Sequence, residues 1–342
     1  MDDIFISVII TAYNRKEFLL NAVKSALNQT LDKKYYEIIV IKNYSDDKID
    51  KFIKENNIKN ILTDEISLSG KIVEAFKIAK GDIISFLEDD DTFLENKLEN
   101  VVNRFSDPSL VYYHNNYSII NENAERLDIN LPYQSNSKCS IKVDTKDLDI
   151  KKLRALNKNN GFFNLSCISI RKSLVSWCLD KLDRINVALD YFFFFQGIDS
   201  DGVVFIDNKV LTLYRVHKSN DSLAVATSKK IFCENKINFF KEDLIGFTTI
   251  QSLSRHEIVK KYLSCRILIP QIALYIFIHK TRPIITVRCS LLCSIKIQYI
   301  PLFVLSILYG LEKLFPGIGI SFLYKYENAK IGRINKKDKA YL

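Results

Sequence analysis

The chain has 342 residues, 47% hydrophobic and 26% charged, with only 6 Pro and 10 Gly, which excludes collagen-like, low-complexity and largely disordered classes and exceeds one minimal core. Its net charge of +9 is uneven: residues 255–342 hold 15 Lys/Arg against 4 Asp/Glu, an excess of +11, whereas residues 1–254 sum to −2. A basic, Ile/Leu/Tyr-rich tail suits an anionic lipid surface better than nucleic acid, for which no helix-turn-helix, ribonucleoprotein or zinc-finger signature is present.

In chain order, "IFISVIIT" (residues 4–11) is a β-branched run of the kind buried on both faces of a parallel sheet. Phe18, Leu19, Ala22, Val23, Ala26 and Leu27 then repeat at three and four, predicting a helix before the strand "YYEIIVIK". "KIDKFIKEN" reads as helix, "IKNILT" as a short strand, "KIVEAFKIAK" as helix and "DIISFL" as strand. Such alternation predicts a doubly wound, mostly parallel α/β sheet flanked by helices, with ligands at the carboxyl ends of its strands. A helix near residues 94–105, the strand "LVYYHNNYSII", a polar, loop-rich stretch over 121–160, strand-like "FFNLSCISI", helix-like "NVALDYFFFFQGI" and hairpin-like "VVFIDNKVLTLYRVH" complete a first domain over residues 1–225.

Residues 226–342 change to long helical patterns with few acids. "YLSCRILIPQIALYIFI" and "YIPLFVLSILYGLEKLF" are strongly apolar, yet Arg266, Glu312 and Lys313 interrupt them short of the roughly 20 apolar residues of a spanning helix. The expectation is a basic helical extension lying on a membrane surface, with packing on the first domain or on a second copy in a homo-oligomer as the alternative. Seven scattered cysteines without a CxxC pair read as reduced thiols, and "MDDIFISVIITAYN" lacks a basic signal-peptide start; both point to the cytoplasm.

The segment "GDIISFLEDDDTFLENKL" places Glu88, Asp89, Asp90 and Asp91 directly after a buried strand. Four adjacent carboxylates repel one another, so the arrangement is costly unless a cation sits there. Together with "SVIITAYNRKEFLLNAVKSALNQT", "YEIIVIKNYSDD" and "LYRVHKSNDS", this segment resembles the family 2 glycosyltransferases of GT-A fold, in the family's order, over residues 4 to about 222.

The resemblance implies an inverting, metal-dependent transfer of a sugar from a nucleotide-sugar donor to a hydroxyl of a glycan or lipid-linked glycan. It assigns Asp90 to a Mg²⁺ or Mn²⁺ ion, with His217 of "YRVH" as a further ligand. Glu88 and Asp89 would lie near the ribose and donor sugar, and Asp91 would be a helix N-cap or a supporting residue. Asp190 matches the base that takes the acceptor's proton; a helix cap is its alternative. Thr11 and Tyr13 occupy nucleotide-facing positions, Arg15 and Lys71 are phosphate contacts, and Arg215 would pair with phosphate or a site carboxylate. Where the family shows an acidic pair for uracil, this chain has Lys42 and Asn43; Asn43 can accept a hydrogen bond and Lys42 cannot, so a guanine or thymine nucleotide is as plausible as UDP. Two other readings remain: a degenerate GT-A domain that binds without turnover, and a nucleotidyltransferase, which would show a glycine-rich loop that "TAYNRKEF" lacks.

Overall fold

The computed structural model describes residues 4–129, 139–217, 228–278, 304–310 and 319–326, and the chain divides into two compact units, Met1–Val216 and His217–Leu342. In chain order the first unit contains β1 (Ile6–Ala12), α1 (Leu19–Leu27), β2 (Tyr36–Lys42), α2 (Asp47–Glu55), β3 (Lys59–Leu62), α3 (Leu68–Ile78) and β4 (Ile83–Glu88). There follow β5 (Thr92–Phe93), α4 (Lys97–Phe105), β6 (Leu110–Ile120), β7 (Arg126–Leu127), β8 (Ile141–Asp144), α5 (Ile150–Lys158), β9 (Ile168–Arg171), α6 (Ser173–Ser176), α7 (Leu179–Leu182), α8 (Leu189–Ile198) and β10 (Val203–Arg215).

One sheet runs β3-β2-β1-β4-β9-β6-β10-β5, with β7 beside β6 and β8 beside β10. Its first four strands are parallel; β9 then inserts antiparallel between β4 and β6, so the second half of the sheet is mixed. The β-branched runs form the central strands because both faces of β1 are covered: all seven of its residues are buried. Ile6, Val8 and Ile10 join one apolar cluster with Leu19, Ala22, Val23 and Ala26 of α1 and Ile49 and Ile53 of α2, the three-and-four spacing bringing one helix face onto the sheet. Truncating one of these central residues, as in Ile10→Ala, should cost about 2–5 kcal/mol. Asp46 starts α2 by accepting from the Ile49 N–H at 3.0 Å, and Ser67 starts α3 by accepting from Gly70 N–H at 3.0 Å. Gly81 precedes β4 where a Cβ would stand 2.4 Å from the Ser7 nitrogen, so only glycine lets the chain pass β1 there.

Three details differ from the sequence reading. Residues 203–215 form one bent strand, not a hairpin; its register against β6 shifts between Ile206 and Val210. Asp207 and Asn208 look like turn formers, but Asp207 is buried and accepts from Arg104 at 3.0 Å, Tyr113 at 3.1 Å and Ser140 at 2.9 Å, which anchors a bulge. The polar stretch before residue 160 contains α5, capped by Asp149 through the Lys152 N–H at 2.7 Å. The helix expected from residue 94 begins at Lys97, behind the cap residue Asn96.

The second unit is described over α9 (Lys229–Leu253), α10 (Glu257–Ile278) and helical residues 304–310 and 319–326. Among the described residues α10 is the one helix long and apolar enough to cross a membrane, with mean hydropathy 1.3, contrary to the expectation that Arg266 would break such a stretch. Most of α10 is nonetheless buried, and Arg266 is buried over the Phe247 ring at 4.5 Å. Burial pushes the neighbouring Asp243 carboxyl up to about 6 against the pull of Arg266. Cys289, Cys293, Glu312, Lys313, the "KSNDS" segment and most of "YIPLFVLSILYGLEKLF" lie outside the described residues.

Candidate active site

The expected site residues of the first unit gather at the carboxyl ends of β1, β2 and β4. β4 ends in Glu88, directly beside Thr11 of β1 in the parallel register, and the chain then turns through Asp89 and Asp90 to Asp91. The turn is held from three directions. Ser166 Oγ accepts from the Glu88 N–H at 3.0 Å, and Asn164 Nδ2 donates to Asp91 at 2.6 Å and to Glu88 at 3.2 Å. Arg215, buried at the end of β10, donates through its backbone N–H to Asp91 at 2.9 Å, through Nε to the Asp90 carbonyl at 2.8 Å, and through its remaining fork to the Asn121 and Glu122 carbonyls at 2.9 and 3.0 Å. Asp91 thus caps no helix; it is the buried post to which the turn is tied. Arg215 grips the turn's backbone, with its guanidinium over the Phe18 ring at 4.7 Å.

On the open side Arg15 pairs with both Asp89 and Asp90, the latter at 2.8 Å. Burial works against the Arg15 charge, but the bond to Asp89 and the charges of Asp89, Asp90 and Glu88 more than offset it. One arginine does not neutralise the cluster. Burial, followed by the charges of Asp90, Asp91, Asp190 and Asp89, raises the Glu88 carboxyl well above its ordinary range. Burial lifts Asp89 to about 6 despite Arg15, and burial with Asp90 lifts Asp91 to about 7. Behind the turn Lys97, fully buried, donates to Asn115 and to the Ser166 carbonyl at 3.0 Å; burial lowers it to about 8.

Asp190 stands in the first turn of α8, whose cap residue is Ala188, and accepts from the Tyr191 N–H at 2.9 Å. Its charge reaches Glu88 and Tyr112, so it belongs to the same electrostatic group. Phe192 to Phe195 are buried beneath it, while Tyr191 is half-buried and stacks on Phe162 with centroids 4.1 Å apart. Tyr13 is 46% exposed, with the Lys71 ammonium 4.6 Å from its ring. Lys71 itself is buried and donates to the Ile66 carbonyl at 3.0 Å. His217 is buried two residues beyond β10 and belongs to the second unit.

The loop after β2 is self-contained. Lys42, 1% exposed, pairs with Asp50 at 2.8 Å and donates to the Tyr44 carbonyl. Asn43 and Asn14 exchange hydrogen bonds: Asn43 Oδ1 accepts from the Asn14 N–H at 3.0 Å, and its Nδ2 donates to Asn14 Oδ1 at 2.8 Å. Tyr44 donates to the Arg15 carbonyl. Asn43 and Tyr44 therefore steady the loop that carries Arg15, while Lys42 is spent on Asp50 and its own loop. Asn164, Ser166 and Lys97 escaped the sequence reading: Asn164 and Ser166 lie 73 to 78 residues beyond the acids, and nothing in "GFFNLSC" marks a carboxylate partner.

Among the described residues no three His, Cys, Asp or Glu side chains form a ready metal-binding group. The donor set nevertheless suits a hard divalent cation, which takes one or two carboxylates plus phosphate oxygens and would relieve the mutual repulsion that raises these carboxyls.

A twisted α/β sheet that gathers acids, a loop arginine and a helix-borne Asp at its strand ends has the GT-A architecture. The model for "Glycosyl transferase family 2" matches residues 7–176, and the chain belongs to that family. It is 32% identical over 130 residues to the UDP-Glc:alpha-D-GlcNAc-diphosphoundecaprenol beta-1,3-glucosyltransferase WfgD of Escherichia coli, covering 36% of this chain and 50% of that protein. It is 35% identical over 118 residues to WfaP of the same organism, described by the same activity, covering 33% and 46%. The chain therefore spans about half the length of these relatives. Among solved structures, S. aureus TarS 1-349 in complex with UDP-GlcNAc aligns with TM-score 0.52 at 15% identity, covering 89% of this chain and 91% of that one, which is a likeness of fold.

Proposed function

We propose that the chain is an inverting, metal-dependent glycosyltransferase that moves a sugar from a nucleotide-sugar donor to a hydroxyl of a glycan or lipid-linked glycan. The observation that carries this reading is the acidic turn Glu88–Asp91, pinned at the end of β4 with more negative charge than Arg15 offsets. The names of the two E. coli relatives, which specify a UDP-glucose donor and a diphosphoundecaprenol-linked acceptor, support it.

Asp190 accepts the proton of the attacking hydroxyl while the acceptor oxygen bonds to the anomeric carbon and the bond to the diphosphate oxygen breaks on the opposite face. One such displacement inverts the anomeric configuration. Thr11 and Tyr13 border the nucleotide, with Lys71 beneath the Tyr13 ring. Arg15 exchanges its carboxylate partners for phosphate as the donor enters. Asp90 would hold Mg²⁺ or Mn²⁺, which when bound neutralises the departing diphosphate. Asn43, committed to Asn14, contributes to base binding through the loop it fixes, and His217 is the remaining candidate ligand. The basic helical extension would keep the enzyme on the cytoplasmic face of a membrane that presents the acceptor.

A thermal-shift screen with UDP, GDP, dTDP and CMP and their common sugars, each with and without Mn²⁺, tests this reading. A rise in melting temperature that needs both one nucleotide and the metal, and disappears in Asp90→Ala, is the expected result. Stabilisation by none of them would remove the enzymatic reading and favour a GT-A domain that binds without turnover.

A further inference from the structure

The acidic turn has two buried oxygens without a hydrogen-bond partner, Asp89 Oδ2 and Asn164 Oδ1. Asn164 is 4% exposed and lies on the segment leading into β9, across from the acids. Both of its amide hydrogens are committed, to Asp91 at 2.6 Å and Glu88 at 3.2 Å. With Glu88 and Asp91 ionised, the state that a bound cation favours, that commitment fixes the amide, because the reverse orientation would turn a carbonyl oxygen toward two carboxylates. The carbonyl oxygen therefore faces away from the carboxyls, where it is buried and unsatisfied, a state that costs free energy unless a ligand supplies a donor.

The chemistry of the missing partner follows from what is in excess. Two buried acceptors at this end of the site, Asp89 Oδ2 and Asn164 Oδ1, wait on a partner. An ionised diphosphate brings only acceptors, and a divalent cation takes one or two carboxylates and leaves the amide oxygen; a sugar brings several hydroxyl donors. We propose that Asn164 is a donor-sugar contact, its Oδ1 accepting from a hydroxyl of the transferred sugar while its Nδ2 holds Glu88 and Asp91 in register. This rests on the glycosyltransferase reading above and adds a residue that selects the sugar over the bare nucleotide. Sites that bond a hydroxyl discriminate against ligands lacking it, because the buried acceptor is then left unpaired.

The test is isothermal titration of the full chain and of Asn164→Ala with UDP and UDP-glucose, UDP and UDP-N-acetylglucosamine, GDP and GDP-mannose, dTDP and dTDP-glucose, and CMP and CMP-N-acetylneuraminate, each with Mn²⁺. The expected result is a loss of about tenfold in affinity for the sugar conjugate that the parent binds, with its bare nucleotide within about twofold. Equal losses for conjugate and nucleotide would overturn the proposal, since they would make Asn164 a support of the acidic turn or of the metal alone. If Asn164→Ala does not fold, Asn164→Ser, whose shorter side chain cannot keep the same reach, is held to the same ratio. A parent chain that binds none of the nucleotides would defeat the glycosyltransferase reading and this inference with it. Binding by the parent with an unchanged ratio in the variant would defeat this inference alone.

Discussion

The two loops that flank the tip of β1 are built on opposite principles. After β4, four carboxyl groups crowd a turn that Arg15 balances only in part, and two buried oxygens are unpartnered. After β2, every polar group of interest is matched within the fold: Lys42 by Asp50, Asn43 by Asn14, Tyr44 by the Arg15 carbonyl. An unbalanced loop stores a demand that a ligand can meet, whereas a balanced one fixes geometry. Substitutions at the first should therefore alter chemistry and binding, and substitutions at the second should alter stability.

The largest effect is expected at Asp190. Asp190→Asn keeps the size of the side chain and removes its capacity to take a proton, so turnover with a competent donor and acceptor should fall about 10²- to 10⁴-fold. Nucleotide stabilisation should survive. A variant that keeps more than a tenth of the activity would move the base elsewhere.

Arg215→Lys comes next, and it tests how the acidic turn is held. A lysine cannot reproduce the planar fork that spans the Asp90, Asn121 and Glu122 carbonyls. Stability measured by urea unfolding should drop by about 2–4 kcal/mol, since buried carbonyls lose their donors. An unchanged midpoint would show that the backbone of the turn holds itself.

The acid dependence of stability separates the site from its surroundings. Burial raises Asp89 to about 6 and Asp91 to about 7, so these carboxyls bind protons more tightly folded than unfolded. Their contribution is present at low pH and is lost as pH rises through 6 and 7. His114 acts with the opposite sign: burial lowers it to about 3, its Nε2 bonds the Phe163 carbonyl at 2.6 Å, and its Nδ1 has no partner. Below about pH 6.5 the unfolded chain takes up a proton that folded His114 refuses, and stability falls toward pH 3. In His114→Asn the gap from the parent should therefore shift in the variant's favour by about 2–3 kcal/mol between pH 7.5 and 4.5. A gap that ignores pH would mean that His114 titrates in the fold as it does outside it.

The parallel half of the sheet was legible because β1, β2 and β4 are buried on both faces and read as near-continuous apolar runs, and the acids were legible because they follow such a run without a gap. The residues that hold those acids were not. Asn164 and Ser166 reach them from β9's leading segment, Lys97 of α4 bonds the Ser166 carbonyl behind them, and the Arg215 guanidinium, expected on phosphate or a site carboxylate, grips backbone carbonyls from β10; such side-chain meetings across a sheet leave no periodic trace. The misread bulge has a related cause: "IDNKV" carries turn residues, but Asp207 is satisfied by Arg104, Tyr113 and Ser140, partners from three other segments. Lys42 and Asn43 were read for what they could offer a base, whereas Asp50 and Asn14 claim them first.

The smallest effect sharpens that last point. Lys42 is buried while the Asp50 side chain is 31% exposed, so the pair is partly screened and Lys42→Met, which fills the same space without the charge, should cost only about 1 kcal/mol. Asp50→Asn should cost somewhat more than the methionine variant, because it leaves a buried ammonium without its counter-charge. Neither should change nucleotide affinity by more than about twofold, since the loop bonds that position Arg15 run through Asn43 and Tyr44. If Lys42→Met instead weakens one nucleotide tenfold while stability holds, the ammonium leaves Asp50 when the donor enters. The loop after β2 would then share the work of the acidic turn, and the contrast between them would be one of resting states only.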